Sequence, residues 1–199
     1  RELKLWSINE RSAIVLGKHD NSIRTVAFSP DGNIIASGSW DQTIRLWSPD
    51  GRHLQTFVSH TAPLTQLAFS PDGETLASAD FNGEVKLWKV KSPFLTVLSG
   101  HETHLRRVAL TPDHQQVFSV SWGGEVYRWD MQGRLLGRLE GHDKGVIGLG
   151  VSPDGEIVAT GSWDESIRLW NMEGELLKVI NNAHSMGVNQ LAFSPNGEV

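Results

Sequence analysis

Five tryptophans, Trp6, Trp47, Trp88, Trp129 and Trp170, each close a short phrase of alternating apolar and polar residues, and their successive separations are all 41 residues. The phrases read LKLW, TIRLW, EVKLW, EVYRW and SIRLW. Alternation with a period of two is the pattern of a strand with two distinct faces. A second marker keeps the same step: SPDG at Ser29, Ser70 and Ser152, TPDH at Thr111 and SPNG at Ser194. Proline presets the φ of a turn's first central residue and glycine supplies the positive φ that lets a strand reverse, so each marker reads as a hairpin connection. The step from Ser152 to Ser194 is 42, which places one extra residue at Asn181-Asn182, in a loop that tolerates it.

A histidine follows each phrase-ending tryptophan by 13 residues, at His19, His60, His101 and His142, and by 14 at His184. Gly100 and Gly141 stand before two of them. Between one histidine and the next lie an apolar strand (23–28), the SPDG turn, a second strand (34–39), a tight turn at Trp40 to Gln42, a third strand ending at Trp47 and a fourth near 54–57. A period in the low forties with four strands and a GH…W pattern is the signature of propeller blades.

On these markers the chain resembles the WD-repeat β-propeller family along its whole length. The likeness is highest from Gly141-His142 through Gly161-Ser162-Trp163-Asp164 to Trp170. The resemblance implies an all-β chain of four-stranded antiparallel WD-type blades. Four complete repeats are expected at 19–59, 60–100, 101–141 and 142–183, with part-blades at 1–18 and 184–199, making an incomplete or open propeller. Exposed strand edges at such an opening are expected to pair with a second copy or with missing blades. The regular SPDG and SGSWD wording is similar to that of bacterial multidomain proteins, where such propellers often follow a kinase or nucleotide-switch domain.

Histidine, serine and aspartate recur together and invite a reading as a hydrolase triad. An enzyme needs one such set, whereas a structural device is needed once per blade. The resemblance implies a hydrogen-bonded chain from the histidine through a hydroxyl of the second strand, with the turn aspartate and the indole N–H as its ends. The sets are His19, Ser37, Asp41 and Trp47; His60, Ser78, Asn82 and Trp88; His101, Ser119 and Trp129, with Gly123 at the aspartate position; and His142, Thr160, Asp164 and Trp170. Asparagine still accepts a bond there but glycine does not, so the third repeat is expected to lack its carboxylate.

Immediately before that turn position stand Trp40, Phe81, Trp122 and Trp163, again 41 apart, so they are expected to form an arc on one rim. The resemblance makes that rim a common protein-binding face, and exposed tryptophan is a frequent hot spot. Packing of each ring on the next blade's turn is the competing reading.

Other function classes find little support. A net charge of -5 opposes nucleic-acid phosphates, and no apolar run is long enough for a membrane span. The absence of cysteine removes thiolate metal sites and suits a reducing compartment, with the cytoplasm as the expectation. His101 and His104 lack a third ligand by spacing, and no phosphate-binding glycine loop precedes a helix, so neither a metal nor any other cofactor is expected. The expected function is a protein-interaction platform within a larger signalling or regulatory protein, not an enzyme; a lectin-like propeller using exposed aromatics is the alternative.

Overall fold

The computed structural model describes residues 1–91 and 95–194. The last SPNG marker continues beyond Ser194 and lies outside the described residues, as does the end of the expected part-blade at 184–199. Among the described residues there are eighteen strands and no helix.

A two-stranded sheet comes first, from β1 (Glu2–Ser7) and β2 (Ser12–Lys18). Four antiparallel four-stranded blades follow, each with its strands in chain order from the axis outward. The first blade holds β3 (Ile23–Phe28), β4 (Ile35–Ser39), β5 (Thr43–Trp47) and β6 (His53–Val58). The second holds β7 (Leu64–Phe69), β8 (Thr75–Asp80), β9 (Val85–Lys89) and β10 (Leu95–Leu98). The third holds β11 (Leu105–Leu110), β12 (Gln116–Ser121), β13 (Val126–Asp130) and β14 (Leu135–Arg138). The fourth holds β15 (Val146–Val151), β16 (Val158–Ser162), β17 (Ile167–Trp170) and β18 (Leu176–Ile180). With one sheet of only two strands, this is an incomplete propeller.

Hydrophobic burial lies between the blades, because a radial sheet is covered on both faces. Ala36, Ile44, Leu46 and Phe57 of the first blade pack on Leu64, Leu67, Leu76 and Trp88 of the second. The same layering joins Leu87 and Leu98 to Leu105, Val117 and Trp129, and Phe118 and Val126 to Val146, Val158 and Trp170. Leu3 and Leu16 of the two-stranded sheet cover Ile35 and Trp47. The second strand is therefore buried from end to end in the first, second and fourth blades and from Val117 onward in the third, and it is built largely of small residues in the first and fourth: IASGS in β4 and VATGS in β16. At Gly38 a Cβ would stand 2.8 Å from the methyl of Thr25, its cross-strand partner, and 3.2 and 3.3 Å from Leu67 Cδ1 and Leu64 Cβ of the next blade, so there is no room for one.

The SPDG turns form as their residues dictate. Ser29 accepts the Gly32 N–H at its carbonyl (2.9 Å) and the Ile34 N–H at Oγ (2.9 Å), while Gly32 sits at φ 72°. Similar geometry recurs at Ser70 and Ser152. At the N-terminal end of the inner strands one residue per blade escapes the ladder: a bulge separates Ile23 from Thr25, Leu64 from Gln66, Leu105 from Arg107 and Val146 from Gly148. No helix among the described residues is long and apolar enough to cross a membrane.

Candidate functional site

In the first blade Trp47 Nε1–H donates to Ser37 Oγ (2.8 Å), which lies 2.7 Å from His19 Nε2. His19 Nδ1 is 2.9 Å from Asp41 Oδ2. The protons follow from the partners. A carboxylate only accepts, so Nδ1 carries the hydrogen; in a neutral ring Nε2 is then an acceptor, and it takes the serine proton. The chain runs in one direction, from indole to hydroxyl to imidazole to carboxylate. The fourth blade repeats it through Trp170, Thr160, His142 and Asp164, at 2.8 Å for every link.

The second and third blades deliver the carboxylate from other positions. Asn82 does not meet His60: its Nδ2 donates instead to Thr61 Oγ1 at 3.3 Å, and the His60 partner is Asp80 Oδ2 at 2.8 Å. In the third blade Gly123 indeed has nothing to offer, but the set is not short of a carboxylate. Glu125 Oε2 lies 3.2 Å from His101 Nδ1 and also accepts from Ser121 Oγ at 2.6 Å. The two corrections share one cause. Residues 80–84 and 121–125 each form one tight turn, closed by the Gly83 N–H on the Asp80 carbonyl (3.4 Å) and the Gly124 N–H on the Ser121 carbonyl (3.2 Å), and such a turn gathers its first, third and fifth residues around one imidazole. The longer glutamate stem reaches where aspartate would not. The remaining links are unchanged, His60 and His101 meeting Ser78 and Ser119, which take the indoles of Trp88 and Trp129.

These oxygens do not meet a substrate. Ser37, Ser78, Ser119 and Thr160 are wholly buried, each held between an imidazole and an indole, so a carbonyl cannot approach them. His60, Asp80 and Glu84 lie close enough to resemble a metal set. Yet both ring nitrogens of His60 are engaged, by Asp80 and Ser78, and Glu84 pairs with Lys86 Nζ at 3.0 Å, so a cation there would have to displace the bond between His60 and Asp80 and compete with the lysine.

Burial holds His19, His101 and His142 below the ordinary imidazole value of 6.5, against the opposing pull of Asp41, Glu125 and Asp164. Burial also resists ionisation of Asp41, but hydrogen bonds from Thr43 and His19 outweigh it and lower its pKa to about 2. Below pH 6.5 the unfolded histidines take up protons that the folded ones refuse, so the unfolded state binds more protons and stability falls as the pH drops. Asp41 stays ionised through that window; its own contribution is present above 3.8 and is lost as the pH falls towards 2. The midpoint of urea unfolding is therefore expected to decline steadily from about pH 7 to about pH 5. A midpoint that holds level down to pH 5 would contradict the neutral, buried imidazoles.

The rim carries the four aromatics. Each turn is tied to the residue before the inner strand of its own blade: the N–H groups of Trp40, Phe81, Trp122 and Trp163 donate to the carbonyls of Ser22, Pro63, His104 and Gly145 at 2.9, 3.1, 2.9 and 2.9 Å. The aromatic turns and the histidine loops thus share one face. Trp40 and Phe81 meet edge to face at 6.4 Å, as do Trp122 and Trp163 at 6.1 Å, and the His104 ring meets Phe81 at 5.2 Å. The rings also keep surface in water: Trp40 is 42% exposed, Trp122 48% and Trp163 36%, while Phe81 is half-buried. Arg106 lies over the Trp122 ring at 5.2 Å.

The sequence reading missed that arginine. Arg24, Thr65, Arg106 and Ile147 are themselves 41 apart and are the residues at the four bulges. A bulge re-aims a side chain away from the ladder. All four line one cavity at the axis with Gln66 and Arg107. Their spacing was readable, but as chemically unlike residues they do not announce a set.

The WD40 family model, described as WD domain, G-beta repeat, matches residues 11–48, 51–89, 92–130 and 133–171. The chain belongs to this family. Each match runs from an outermost strand through the three inner strands of the next blade. A stretch of 45 residues is 44% identical to guanine nucleotide-binding protein subunit beta-5b of Danio rerio, covering 22% of this chain and 11% of that protein. The similarity thus spans about a tenth of the relative's length.

Proposed function

We propose that this chain is a protein-binding platform and that its partner docks on the rim formed by Trp40, Phe81, Trp122 and Trp163. The observation that carries this reading is the exposure of three indoles, each anchored by its backbone yet left partly in water. Tryptophan left wet in a tight turn is costly, and the same ring buried against a partner supplies a large share of binding energy. Packing accounts for the half of each ring that is covered and not for the half that is open. Family membership supports the reading, and the relative it resembles is by name a subunit. The cysteine-free composition suits the reducing cytoplasm, and the family resemblance is the ground on which we infer a signalling or regulatory setting there.

The test is a double substitution, Trp122→Ala with Trp163→Ala, set against a partner recovered by co-purification with the full chain. Affinity for that partner is expected to fall about 100-fold or more, since two hot-spot residues each contribute on the order of 2 kcal/mol. Stability should fall by less than binding does. A double variant that unfolds readily yet binds normally when kept cold would show that the rings serve packing alone.

A further inference from the structure

Arg45, in the third strand of the first blade, recurs at steps of 41 residues as Lys86, Tyr127 and Arg168. In three blades this side chain is a cation that lies back on the loop ahead of the blade's histidine. Arg45 donates to the Lys18 carbonyl at 2.7 Å and pairs with Asp20 at 3.3 Å and Asp41 at 3.9 Å. Lys86 donates to the Ser59 carbonyl at 2.7 Å and pairs with Glu84 at 3.0 Å. The Arg168 guanidinium lies against Gly141, where a Cβ would collide with it, and its charge acts on His142. The third blade has Tyr127 instead. Its ring stacks on His101 at 4.2 Å and its hydroxyl donates to Glu125 Oε1 at 3.1 Å, so the phenol covers the imidazole but brings no charge. Beside it is a recess of about 280 Å³, between the third blade and the loop leading into the fourth, whose lining includes Glu102, Glu125, Tyr127, Arg138 and Glu140. Three of these side chains are acidic and one is basic. Arg138 lies over the Tyr127 ring at 4.8 Å, and among the described residues no arginine or lysine forms an ion pair with Glu102, Glu125 or Glu140. Burial and the charge of Glu125 push the Tyr127 phenol above its usual 10, in keeping with an excess of negative charge.

We propose that this recess receives the guanidinium of one arginine side chain, carried by the protein that docks on the rim. The other blades fill the position with the chain's own cation, arginine in two of the three, and the third blade leaves it to a residue from outside. The recess is smaller than the roughly 300–1,000 Å³ typical of sites for whole small molecules, so it suits one side chain on its stem. A guanidinium fork can engage a carboxylate with two bonds and can stack on a tyrosine ring, as Arg138 already does, whereas an ammonium is a point charge. Gly123 and Gly124 follow Trp122 directly and add no side chain to the lining, where the first and fourth blades carry Asp41-Gln42 and Asp164-Glu165. The recess therefore borders the aromatic arc. The inference rests on the docking reading for the source of the arginine, but the charge of the recess stands on its own residues.

Calorimetric titration of the chain at fixed ionic strength tests it. The probes are a terminally blocked five-residue peptide with a central arginine flanked by leucine and alanine, its twins with citrulline and with lysine at the centre, and guanidinium chloride. The arginine peptide is expected to bind about tenfold or more tightly than the citrulline twin, which keeps the shape and lacks the charge. It should also bind several-fold more tightly than the lysine twin and than free guanidinium. Tyr127→Arg, which gives the third blade the cation of the first and fourth, should bring the ratio of arginine to citrulline binding near unity. Glu102→Gln combined with Glu140→Gln should lower that ratio several-fold with no fall in the urea midpoint, since both side chains are exposed. Glu10→Gln, in the turn between β1 and β2, removes a distant negative charge and should leave the ratio intact. Equal binding of the arginine and citrulline peptides, or a ratio unmoved by the glutamate double variant, would overturn the site. A lysine twin that binds as tightly would overturn the guanidinium, and free guanidinium binding as tightly as the peptide would overturn the partner as its source. Loss of partner binding in the rim double variant, with no arginine preference here, would leave the docking reading standing and remove only this inference.

Discussion

Replacing Asp80 with alanine is expected to cost about 3 kcal/mol, whereas replacing Asn82 should change stability by less than about 0.5 kcal/mol. Asp80 is fully buried and accepts from His60 Nδ1 at 2.8 Å, from the Asn82 N–H at 2.9 Å and from the Glu84 N–H at 3.1 Å. Alanine would leave a buried imidazole N–H and two turn amides without an acceptor. The Asn82 side chain is exposed and makes one long bond to Thr61, which water replaces. Asp80→Asn keeps the volume and one acceptor oxygen, so its loss should fall between the two. Urea midpoints of the three variants measured together decide the matter. A larger loss for Asn82→Ala than for Asp80→Ala would restore the aspartate-position reading of the second repeat.

That comparison marks where the sequence could be read and where it could not. The blade's strands, the SPDG turns and the histidine, hydroxyl and indole of each set were legible because they recur at one spacing and each does a job that one residue type does best. The carboxylate was not, because the imidazole asks only for a negative oxygen within about 3 Å and the first, third or fifth residue of the turn can supply it. Asp41, Asp80 and Glu125 solve the same electrostatic problem from different places. Position-by-position alignment therefore found a gap at Gly123 that the fold fills from Glu125.

The channel recess was hidden for the opposite reason. Arg24, Thr65, Arg106 and Ile147 keep the period strictly but not the chemistry, and the bulge that turns them inward leaves no mark in the alternation of apolar and polar residues. Repetition reveals what every blade needs to stand. Departure from repetition, on positions that all face one axis, is where a propeller can be made particular to its ligand.

Gly145→Ala is expected to destabilise the chain by about 1–3 kcal/mol and to shift the Trp122 ring, although the added group is a single methyl. Its Cβ would stand 2.5 Å from the Trp122 carbonyl oxygen and 3.4 Å from the Trp122 Cα. These are backbone atoms, so no side-chain rotation relieves the overlap. Gly145 also accepts the Trp163 N–H at its own carbonyl, 2.9 Å away, and thereby stands between the aromatic turns of two adjacent blades. Moving either turn to admit a methyl would separate the Trp122 and Trp163 rings, which meet at 6.1 Å. Gly137→Ala is the matched control: a Cβ there would meet only the Arg128 guanidinium, at 3.8 Å or more, and less freedom in the unfolded chain should leave that variant neutral or slightly stabilised. The expected pattern is a lowered urea midpoint and altered acrylamide quenching of tryptophan fluorescence in Gly145→Ala alone. Equal midpoints and equal quenching in the two variants would mean that the blades have slack at this contact, and that the spacing of the aromatic arc is set elsewhere.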